Sequence, residues 1–483
     1  MISCIVLVRV GVPLVASTTL LLLLGPGCSL DSGGLRGDDG GGGGMDAGVA
    51  EAGALDASTD APPAPIDAFV PDGCVSTTEV CNMADDDCDG IPDNGFDLTA
   101  DPLNCGACGS VCGMGLTCVR ARCVGNVVDV AAGEAFTCAV RRDGAVYCWG
   151  DNDLFQLGSS GPPTGTPVRV PGITNAIEVT AGQRFACALH ADGAVSCWGE
   201  NSNAQLGRDT RTTSEGPAVV PGIDDASEVS AGYGHACVLR GSPRELWCWG
   251  SSTSGQIGAD AAGARRTDPT QTPSRAEMLG ASPMRMSAGG DNTCADLGGA
   301  LACWGRGSEG ELGADTTSDE FLPVTVNLPA GTLNAVSVGD QTVCAIVERS
   351  LYCWGRNDSG QVGDGTMTDR TSPVAVDTSI VDFDAVDVGY DHTCARRRGG
   401  GVECWGTNVH GEIGLGTVGG ANQVVPAPVM GVANATKLAL GERHTCVLRA
   451  RGVVSCWGGA DRGQIGRTGM ASGSPLDVTI PPP

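Results

Sequence analysis

The clearest pattern in the chain is a series of short apolar runs separated by glycine-rich turns, repeated from residue 127 onward. Each repeat reads as a short strand that ends in glycine ("VVDVAAG", "IEVTAG"), a second strand through a cysteine, a turn, and a third strand that ends in Cys-Trp-Gly. A weaker fourth strand follows in segments such as "TPVRVPG". No long stretch has the i, i+3, i+4 periodicity of an amphipathic helix, so the body of the chain is predicted to be all-β.

The Cys-Trp-Gly motif sets the period of the repeat. It recurs at steps of 49, 51, 55, 50, 51 and 52 residues. Its cysteines are Cys148, Cys197, Cys248, Cys303, Cys353, Cys404 and Cys456. Four strands in each of seven such repeats predict a seven-bladed β-propeller.

A second cysteine precedes each motif cysteine by nine to eleven residues. These cysteines are Cys138, Cys187, Cys237, Cys294, Cys344, Cys394 and Cys446. A three-residue loop at 191–193 would place Cys187 directly opposite Cys197, and the shorter and longer spacings fit a two-residue turn at 298–299 and a four-residue loop at 241–244. Opposite cysteines on antiparallel strands lie within disulfide reach, so we predict seven disulfides within blades. Only the turn at 348–349, Glu-Arg, lacks residues typical of a tight turn.

Other constant positions are predicted to form the framework. Eight residues after each motif cysteine comes Gln or Glu, then an apolar residue and Gly. We expect the Gln or Glu side chain to bind backbone groups, the apolar residue to be buried, and the tryptophan to wedge between blades. His235, His392 and His444 each lie two residues before a repeat cysteine, which indicates framework residues rather than a catalytic cluster.

Charge and cysteine content narrow the class of protein. The 483 residues carry a formal net charge of −27, which disfavours nucleic acid as a partner because phosphates would be repelled. Of the 24 cysteines, fourteen lie in the repeats and eight between Cys74 and Cys123. These even numbers favour disulfides and an oxidising compartment.

The first residues resemble an export signal. Residues 1–28 contain one charge, Arg9, then an apolar run and the sequence "GPGC". Cys28 resembles the lipidated cysteine of a bacterial lipobox, although Gly25 stands where that motif usually has Leu, Val or Ile. We therefore expect lipidation at Cys28 and an outer-membrane or cell-surface location; the alternative is a plain signal peptide and an extracellular protein. Residues 29–73, rich in Gly, Ala, Asp and Pro, are predicted to be a disordered tether.

Residues 74–124 form a cysteine-rich module with a candidate calcium loop. The loop has carboxylates at alternate positions and a glycine at its turn, and its ligands would be Asp85, Asp87, Asp89, the carbonyl of Ile91, and Asp93. The bidentate Glu of a complete loop is replaced by Phe96, and the alternative is a solvated acidic turn clamped by Cys81 and Cys88. The stretch also resembles a short metal-binding motif of secreted bacterial proteins.

A cysteine pair of the same module leaves two chemistries open. Cys105-x-x-Cys108 could indicate zinc or redox chemistry. The neighbouring cysteines favour a disulfide knot instead.

The repeats resemble a known family. The combination of "AAG", a Cys-Ala-Leu-like strand, Asp-Gly-x-Val-x-Cys-Trp-Gly and Gly-Gln-Ile-Gly is similar to the regulator of chromosome condensation repeat over residues 127–480. This resemblance implies a seven-bladed propeller over residues 125–483. Because the repeat in that family is commonly offset from the blade, it also implies that a final strand near 475–480 pairs with the first repeat near 127–133.

The family resemblance bears on function as well. The family includes an exchange factor for the Ran GTPase, a plant UV-B receptor and secreted bacterial propellers that bind proteins. Glu442 stands where the photoreceptor motif has tryptophan, and we find no nucleophile motif or phosphate loop. We expect a non-catalytic, monomeric scaffold at the cell surface, without a cofactor in the propeller. It would bind a protein or another surface macromolecule and touch the membrane only through its lipid anchor.

Two other functions remain open at this point. The first is an extracellular hydrolase or lyase built on the propeller, since a fold alone does not determine activity. The second, less favoured, is a guanine-nucleotide exchange factor by family analogy. An enzyme would be expected to gather carboxylates or histidines from a few blades at one rim.

One connection is a candidate partner site. Between the Gly of Gln-x-Gly and the Gly that ends the next first strand there are 24 to 27 residues, except for 31 between Gly258 and Gly289. This insert gathers Arg265, Arg266 and Arg275 on an otherwise acidic body, which favours an acidic partner. The alternative is a tolerated insertion without a role.

Overall fold

A computed structural model of the protein describes residues 78–82, 84–86, 88, 91–112, 116–119, 122–208, 210, 212–258, 264–271, 282–377 and 382–481. These residues contain thirty β-strands and no helix, so none of them forms a helix that could cross a membrane. The first two strands, β1 (Leu116–Val119) and β2 (Arg122–Gly125), pair as a hairpin. The predicted leader and tether, with Cys28, lie outside the described residues.

The other strands form seven four-stranded antiparallel sheets, the blades, each from four consecutive strands. Blade 1 consists of β3 (Val127–Ala132), β4 (Phe136–Arg141), β5 (Val146–Gly150) and β6 (Thr164–Arg169), and blade 2 of β7 (Ala176–Ala181), β8 (Phe185–His190), β9 (Val195–Glu200) and β10 (Ser214–Val219). Blade 3 consists of β11 (Ala226–Ala231), β12 (His235–Arg240), β13 (Glu245–Ser252) and β14 (Ala264–Gln271), and blade 4 of β15 (Arg285–Gly289), β16 (Asn292–Asp296), β17 (Leu301–Gly305) and β18 (Glu320–Thr325). Blade 5 consists of β19 (Leu333–Val338), β20 (Thr342–Val347), β21 (Ser350–Gly355) and β22 (Arg370–Ala375). Blade 6 consists of β23 (Phe383–Val388), β24 (His392–Arg397), β25 (Val402–Gly406) and β26 (Gln423–Pro428), and blade 7 of β27 (Ala435–Leu440), β28 (His444–Arg449), β29 (Val453–Gly458) and β30 (Ser472–Val478). The predicted all-β, seven-bladed propeller is therefore confirmed.

The strand order gives the ring two faces. The first strand of each blade lines a central cavity, and the fourth strand is the outer edge of its sheet. Because neighbouring strands are antiparallel, the turns between first and second strands and the loops between third and fourth strands lie at one end of each blade. We call this end the upper face, and the end with the turns between second and third strands the lower face.

The seven predicted disulfides form within blades. Each joins the second and third strands at directly opposite residues, with a Cα–Cα distance of 4.1 Å in every blade. This separation is that of a non-hydrogen-bonded antiparallel pair. The fourteen cysteines are at most 1% exposed, so the bonds lie in the core.

Turn length sets the register as the sequence indicated. The loop at 191–193 is closed by a hydrogen bond from the Gly193 N–H to the carbonyl of His190, at 3.0 Å, and Gly193 adopts a φ of 85°. The Glu348–Arg349 turn has the two residues expected from its shorter cysteine spacing; neither is glycine, and both have positive φ, 48° and 75°. Pairing of the flanking strands holds these two residues in a conformation that L-amino acids disfavour.

The framework positions have the predicted roles. In every blade the Gln or Glu side chain accepts a hydrogen bond from the backbone N–H two residues earlier. The backbone carbonyl of the same Gln or Glu accepts a hydrogen bond from the indole N–H of the next blade's tryptophan in six of the seven blade junctions, at 2.7–2.9 Å. In the part of the chain that the structure describes, only Trp304 has a buried indole N–H without a partner. The tryptophans thus link neighbouring blades.

Three of the junctions carry an additional polar chain through histidine. His235, His392 and His444 are fully buried, and each Nε2 contacts the hydroxyl of a threonine in another blade at 2.8–2.9 Å. That threonine donates in turn to the carbonyl of the Gln or Glu. Burial lowers the pKa of these imidazoles to about 4, about 4 and about 3. The framework interpretation of the three histidines is therefore confirmed.

The prediction for ring closure is wrong. β30 pairs with β29 of its own blade, and β3 pairs only with β4, so no strand is shared between the first and last repeats. The physical reason is that the last repeat supplies all four strands itself, and the nearest free edge for β30 is β29. Blade 7 closes on blade 1 by side-by-side packing, with Trp149 Nε1 donating to the Gln464 carbonyl at 2.9 Å.

The cysteine-rich module precedes the propeller. Cys105 and Cys108 belong to two separate disulfides, Cys105–Cys118 and Cys81–Cys108, so the disulfide interpretation of this pair holds. Cys81 and Cys88, which flank the acidic loop, are both in disulfides, and the partner of Cys81 is Cys108.

Candidate functional site

The first strands of the seven blades enclose a cavity of about 400 Å³ along the ring axis. A glycine stands at the end of each of these strands, as the last residue of β15 and directly after the other six, and the residue after that glycine lies at the upper end of the cavity. We call these seven positions the mouth residues: Glu134, Gln183, Tyr233, Gly290, Asp340, Tyr390 and Glu442. The glycines permit close packing, because a Cβ on Gly441 would collide with the ring of His444 and the carbonyl of Gly133.

Asp340 and Tyr233 meet across the mouth. Asp340 is 6% exposed, and its carboxylate accepts a hydrogen bond from the Tyr233 hydroxyl. Burial raises the pKa of Asp340 to about 6, against the opposing effect of that hydrogen bond. Burial and the nearby Asp340 carboxylate raise the pKa of the Tyr233 phenol far above its usual range. The pair thus places one buried acid and one aromatic ring in the opening.

The other acids beside the mouth have arginine partners. Glu134 is paired with Arg184 at 2.7 Å, and Glu442 with Arg443 at 3.2 Å. A carboxylate oxygen of Asp391, next to Tyr390, lies 3.2 Å from a guanidinium nitrogen of Arg356. Burial, the largest effect on Asp391, raises its pKa to about 6, although Arg356 opposes that shift. Acidic side chains therefore dominate this end of the cavity, but most of their charge is compensated.

The lower part of the cavity contains the one lysine among its lining residues, Lys437. Lys437 Nζ forms an ion pair with Asp129 across the junction of blades 7 and 1. Glu178 lies nearby, and burial raises its pKa to about 7, while Lys437 opposes that shift. Burial likewise raises the pKa of Asp387, to about 6, although Leu440 N–H and the Ser337 hydroxyl both donate to it.

Several cavity side chains also tie neighbouring first strands together. Asp129 Oδ2 accepts from the Val179 N–H at 2.9 Å, and Glu228 Oε1 accepts from the Met286 N–H at 3.3 Å. Ser287 and Ser337 accept in the same way from the next blade. These bridges show that the lower carboxylates hold neighbouring blades of the ring together.

The histidines and one serine beside the cavity are engaged in contacts between blades. The three buried histidines are directed into blade junctions and are absent from the cavity lining. Ser230, which lines the cavity, both donates to and accepts from Ala288 of the next blade. No nucleophile–base pair is therefore formed by these cavity residues.

The described residues include only part of the predicted partner site. Arg265 and Arg266 lie in β14, the outer strand of blade 3, opposite Ser251 and Gly250 of β13. Their side chains and Arg275 lie outside the described parts of the chain. The role of the three arginines stays a prediction.

The calcium loop is described in part as well. Asp85, Ile91 and Asp93 belong to the described residues, and Asp87 and Asp89 do not. Asp93 Oδ1 accepts from the Asn82 N–H at 2.7 Å. Asp93 also lies close to the sulfurs of Cys81 and Cys108, but these sulfurs form a disulfide and are not thiolate ligands. Calcium binding stays a prediction.

Sequence reasoning missed the mouth residues. Their signal was present, because each follows the glycine that ends a first strand. This position varies between Glu, Gln, Tyr, Gly and Asp, whereas the framework positions repeat. Finding the site required knowing that the first strand of each repeat is the innermost one.

Two family models with the same description, Regulator of chromosome condensation (RCC1) repeat, match the chain. The first matches residues 127–156, 176–205, 226–256, 383–412 and 435–464. The second matches residues 143–189, 192–239, 299–346 and 350–396. Together they span more than half of the 483 residues and cover all seven repeats in part. The chain belongs to the RCC1 repeat family.

Curated relatives share a short segment with this RCC1-repeat protein. The probable E3 ubiquitin-protein ligases HERC4 of Homo sapiens and Rattus norvegicus are each 34% identical over 80 residues. That segment is 16% of this chain and 7% of each relative. The match therefore spans only a small part of the relatives' length.

Solved structures agree with the fold. Human WBSCR16 is 21% identical, with a TM-score of 0.60 over 66% of this chain and 86% of that chain. Yeast RCC1 (Prp20), in a complex with Kap60, is 19% identical, with a TM-score of 0.60 over 70% of this chain and 84% of that chain. At this identity the likeness concerns the fold alone.

Proposed function

We propose that this RCC1-repeat propeller is a non-catalytic scaffold that binds another protein through its upper face. The observation that carries the proposal is the variation of the mouth residues on an otherwise repeated frame. The repeated tryptophans, cysteines and Gln or Glu side chains are engaged in contacts within and between blades. Positions that vary on a rigid support are where binding specificity is expected.

Protein binding is consistent with what is described for related folds. Yeast RCC1 (Prp20) was solved with Kap60 bound, and the Saccharomyces cerevisiae Prp20p structure was described together with its binding to Gsp1p and histones. The net charge of −27 and the leader-like first residues favour a partner outside the nucleus over a chromatin-bound exchange function.

We also propose export of the protein, with a lipid anchor at Cys28 and a location at the cell surface. Support comes from the order of the leader features and from the nine disulfides found among the described residues. Such a number of disulfides is typical of an oxidising compartment.

A paired charge reversal tests the proposal. Glu442→Arg changes the upper face, and Asp192→Arg makes the same charge change in an exposed turn of the lower face. Each full-length variant is used to recover partners from outer-membrane and culture fractions of the source organism. We expect Glu442→Arg to lose at least nine-tenths of the recovered partner and Asp192→Arg to keep it. Equal recovery by both variants would contradict an upper-face scaffold.

The same experiment tests the alternative partner site, which lies in β14, the outer strand of blade 3. If the insert is the partner site, Arg265→Ser with Arg266→Ser loses the partner while Glu442→Arg keeps it. The upper-face proposal predicts the reverse. Hydrolysis of polysaccharide or protein substrates by the full chain, abolished by Asp340→Asn, would instead favour the catalytic alternative.

A further inference from the structure

Asp340 differs from the other acidic residues around the mouth. Glu134, Asp391 and Glu442 each lie within 3.2 Å of an arginine nitrogen. Asp340, in contrast, forms no direct ion pair among the described residues: its side-chain partner is the Tyr233 hydroxyl, while Arg306 and Arg356 lie near enough to lower its pKa without contacting it. A buried carboxylate is costly unless a charge or several hydrogen bonds compensate it. The effect of burial on the pKa of Asp340 still outweighs that of the two arginines, so a cation in direct contact would stabilise this carboxylate.

The surroundings of Asp340 suit one kind of cation. The rings of Tyr233 and Tyr390 both belong to the mouth, and Glu442 is near enough to both tyrosines to raise their pKa values, after larger effects of burial and of Asp340. Aromatic rings beside a carboxylate are the surroundings in which a guanidinium both stacks and donates. The cavity volume of about 400 Å³ leaves room for a side chain that enters from above.

A divalent metal ion fits less well. Calcium requires six or more oxygen ligands, and most mouth carboxylates are engaged by arginines. Within the described residues, no three carboxylates of the cavity lie close enough together to share one ion. The geometry therefore favours an organic cation that needs one or two carboxylates.

We propose that the upper mouth receives an arginine side chain of the partner protein, which pairs with Asp340 beside the rings of Tyr233 and Tyr390. This inference rests on the proposed scaffold function and names the chemistry of its partner. The net charge of −27 would steer such a basic segment toward the propeller. The partner's arginine makes the direct contact with Asp340 that Arg306 and Arg356, which pair with Glu311 and Asp391, do not make.

Peptide titration of the full-length protein tests the inference. The probes are acetyl-Gly-Arg-Gly-amide, its citrulline analogue, which has the same shape without charge, and its lysine analogue. Calorimetry measures the affinity of each peptide. We expect the arginine peptide to bind at least tenfold more tightly than the citrulline peptide and several-fold more tightly than the lysine peptide. Equal affinity for citrulline or lysine would overturn the assignment.

Variants locate the binding. Asp340→Asn should weaken the arginine peptide at least fivefold, whereas Glu320→Gln, an equal charge change in the outer strand β18, should leave the affinity within twofold. If Asp340→Asn does not fold, Tyr390→Leu serves instead and should also weaken binding at least fivefold. Unchanged affinity in the folded mouth variant would overturn the proposal.

The outcome is separable from that of the scaffold proposal. Loss of partner recovery in Glu442→Arg together with normal recovery and normal peptide binding in Asp340→Asn would contradict the arginine site and support the scaffold. Peptide binding at Asp340 with full partner recovery in Glu442→Arg would support the arginine site and contradict the upper-face scaffold.

Discussion

At the scale of single residues, the tryptophans show how one side chain serves two blades. Each ring of the seven Cys-Trp-Gly motifs is at most 1% exposed and fills a blade junction, and six of these seven indole N–H groups donate to the preceding blade. Trp405, for example, donates to the Gln361 carbonyl at 2.8 Å. Trp304 fills the same position without that hydrogen bond.

This difference gives a stability prediction. Trp405→Phe removes a buried hydrogen bond as well as ring volume, whereas Trp304→Phe removes a similar volume and an N–H without a partner. We expect Trp405→Phe to cost about 1–2 kcal/mol more than Trp304→Phe. Urea unfolding of the two full-length variants measures this difference, and equal costs would show that the hydrogen bond contributes nothing.

Glu178 gives a prediction for pH dependence. Burial raises its folded-state pKa to about 7, above the value of 4.5 expected in an unfolded chain. The folded state therefore binds this proton more tightly, and the stabilisation is present below about pH 4.5 and lost as the pH rises through 7. We expect Glu178→Gln to remove part of the fall in stability between pH 5 and 8.

Thermal unfolding across that pH range checks the effect. Glu320→Gln, an outer-strand variant, is the control and should follow the unmodified protein. A stability profile for Glu178→Gln as steep as that of the unmodified protein would contradict a protonated Glu178 near neutral pH. The buried histidines act at lower pH, since their lowered pKa values reduce stability as the pH falls from 6.5 toward 4.

Residue roles were predictable where they repeat and not where they vary. The Gln or Glu, tryptophan and histidine positions recur at fixed spacing, so a structural role followed from the sequence. Asp340 and Tyr233 come from blades 5 and 3 and meet only when the ring closes. No local pattern encodes that contact.

At the scale of strands and turns, the hairpin geometry followed from loop arithmetic. A change of one residue in the spacing of two cysteines is matched by a change of one residue in the turn, so the cysteines stay opposite each other. The Glu348–Arg349 turn is the least favourable one, because Arg349 has a φ of 75°. The strands and the disulfide on either side of it impose that conformation.

Relief of this turn is predicted to stabilise the protein. Arg349→Gly removes the steric cost of the left-handed conformation and loses only an exposed ion pair with Asp382. We expect a gain of about 0.5–1 kcal/mol in the free energy of unfolding. Ser350→Gly, one residue later in β21, should destabilise the protein instead, and chemical denaturation of both variants distinguishes the two cases.

At the scale of the whole molecule, the ring closes through side chains rather than through a shared strand. Lys437 pairs with Asp129, and Arg462 lies 3.3 Å from Asp151, so charges as well as Trp149 hold blade 7 against blade 1. The sequence predicted seven blades but not this closure. The reason is that the expected offset of the last strand came from the family resemblance, whereas each repeat here contains its complete sheet.

The whole-molecule arrangement also determines where function can reside. A frame in which disulfides, tryptophans and carboxylate bridges recur in blade after blade leaves the upper turns as positions free to differ. The acidic, tyrosine-containing mouth is the place where those differences converge on one cavity. The central claim is therefore that a partner protein covers this mouth.

Hydrogen–deuterium exchange of the full-length protein, alone and with the recovered partner, tests that claim most directly. We predict that the partner slows exchange in the turns that carry the mouth residues, at 134–135, 183–184, 233–234, 340–341, 390–391 and 442–443. The lower-face turns at 191–193 and 348–349 should exchange at unchanged rates. Protection confined to the lower face or to β14, with the upper turns unaffected, would contradict the account.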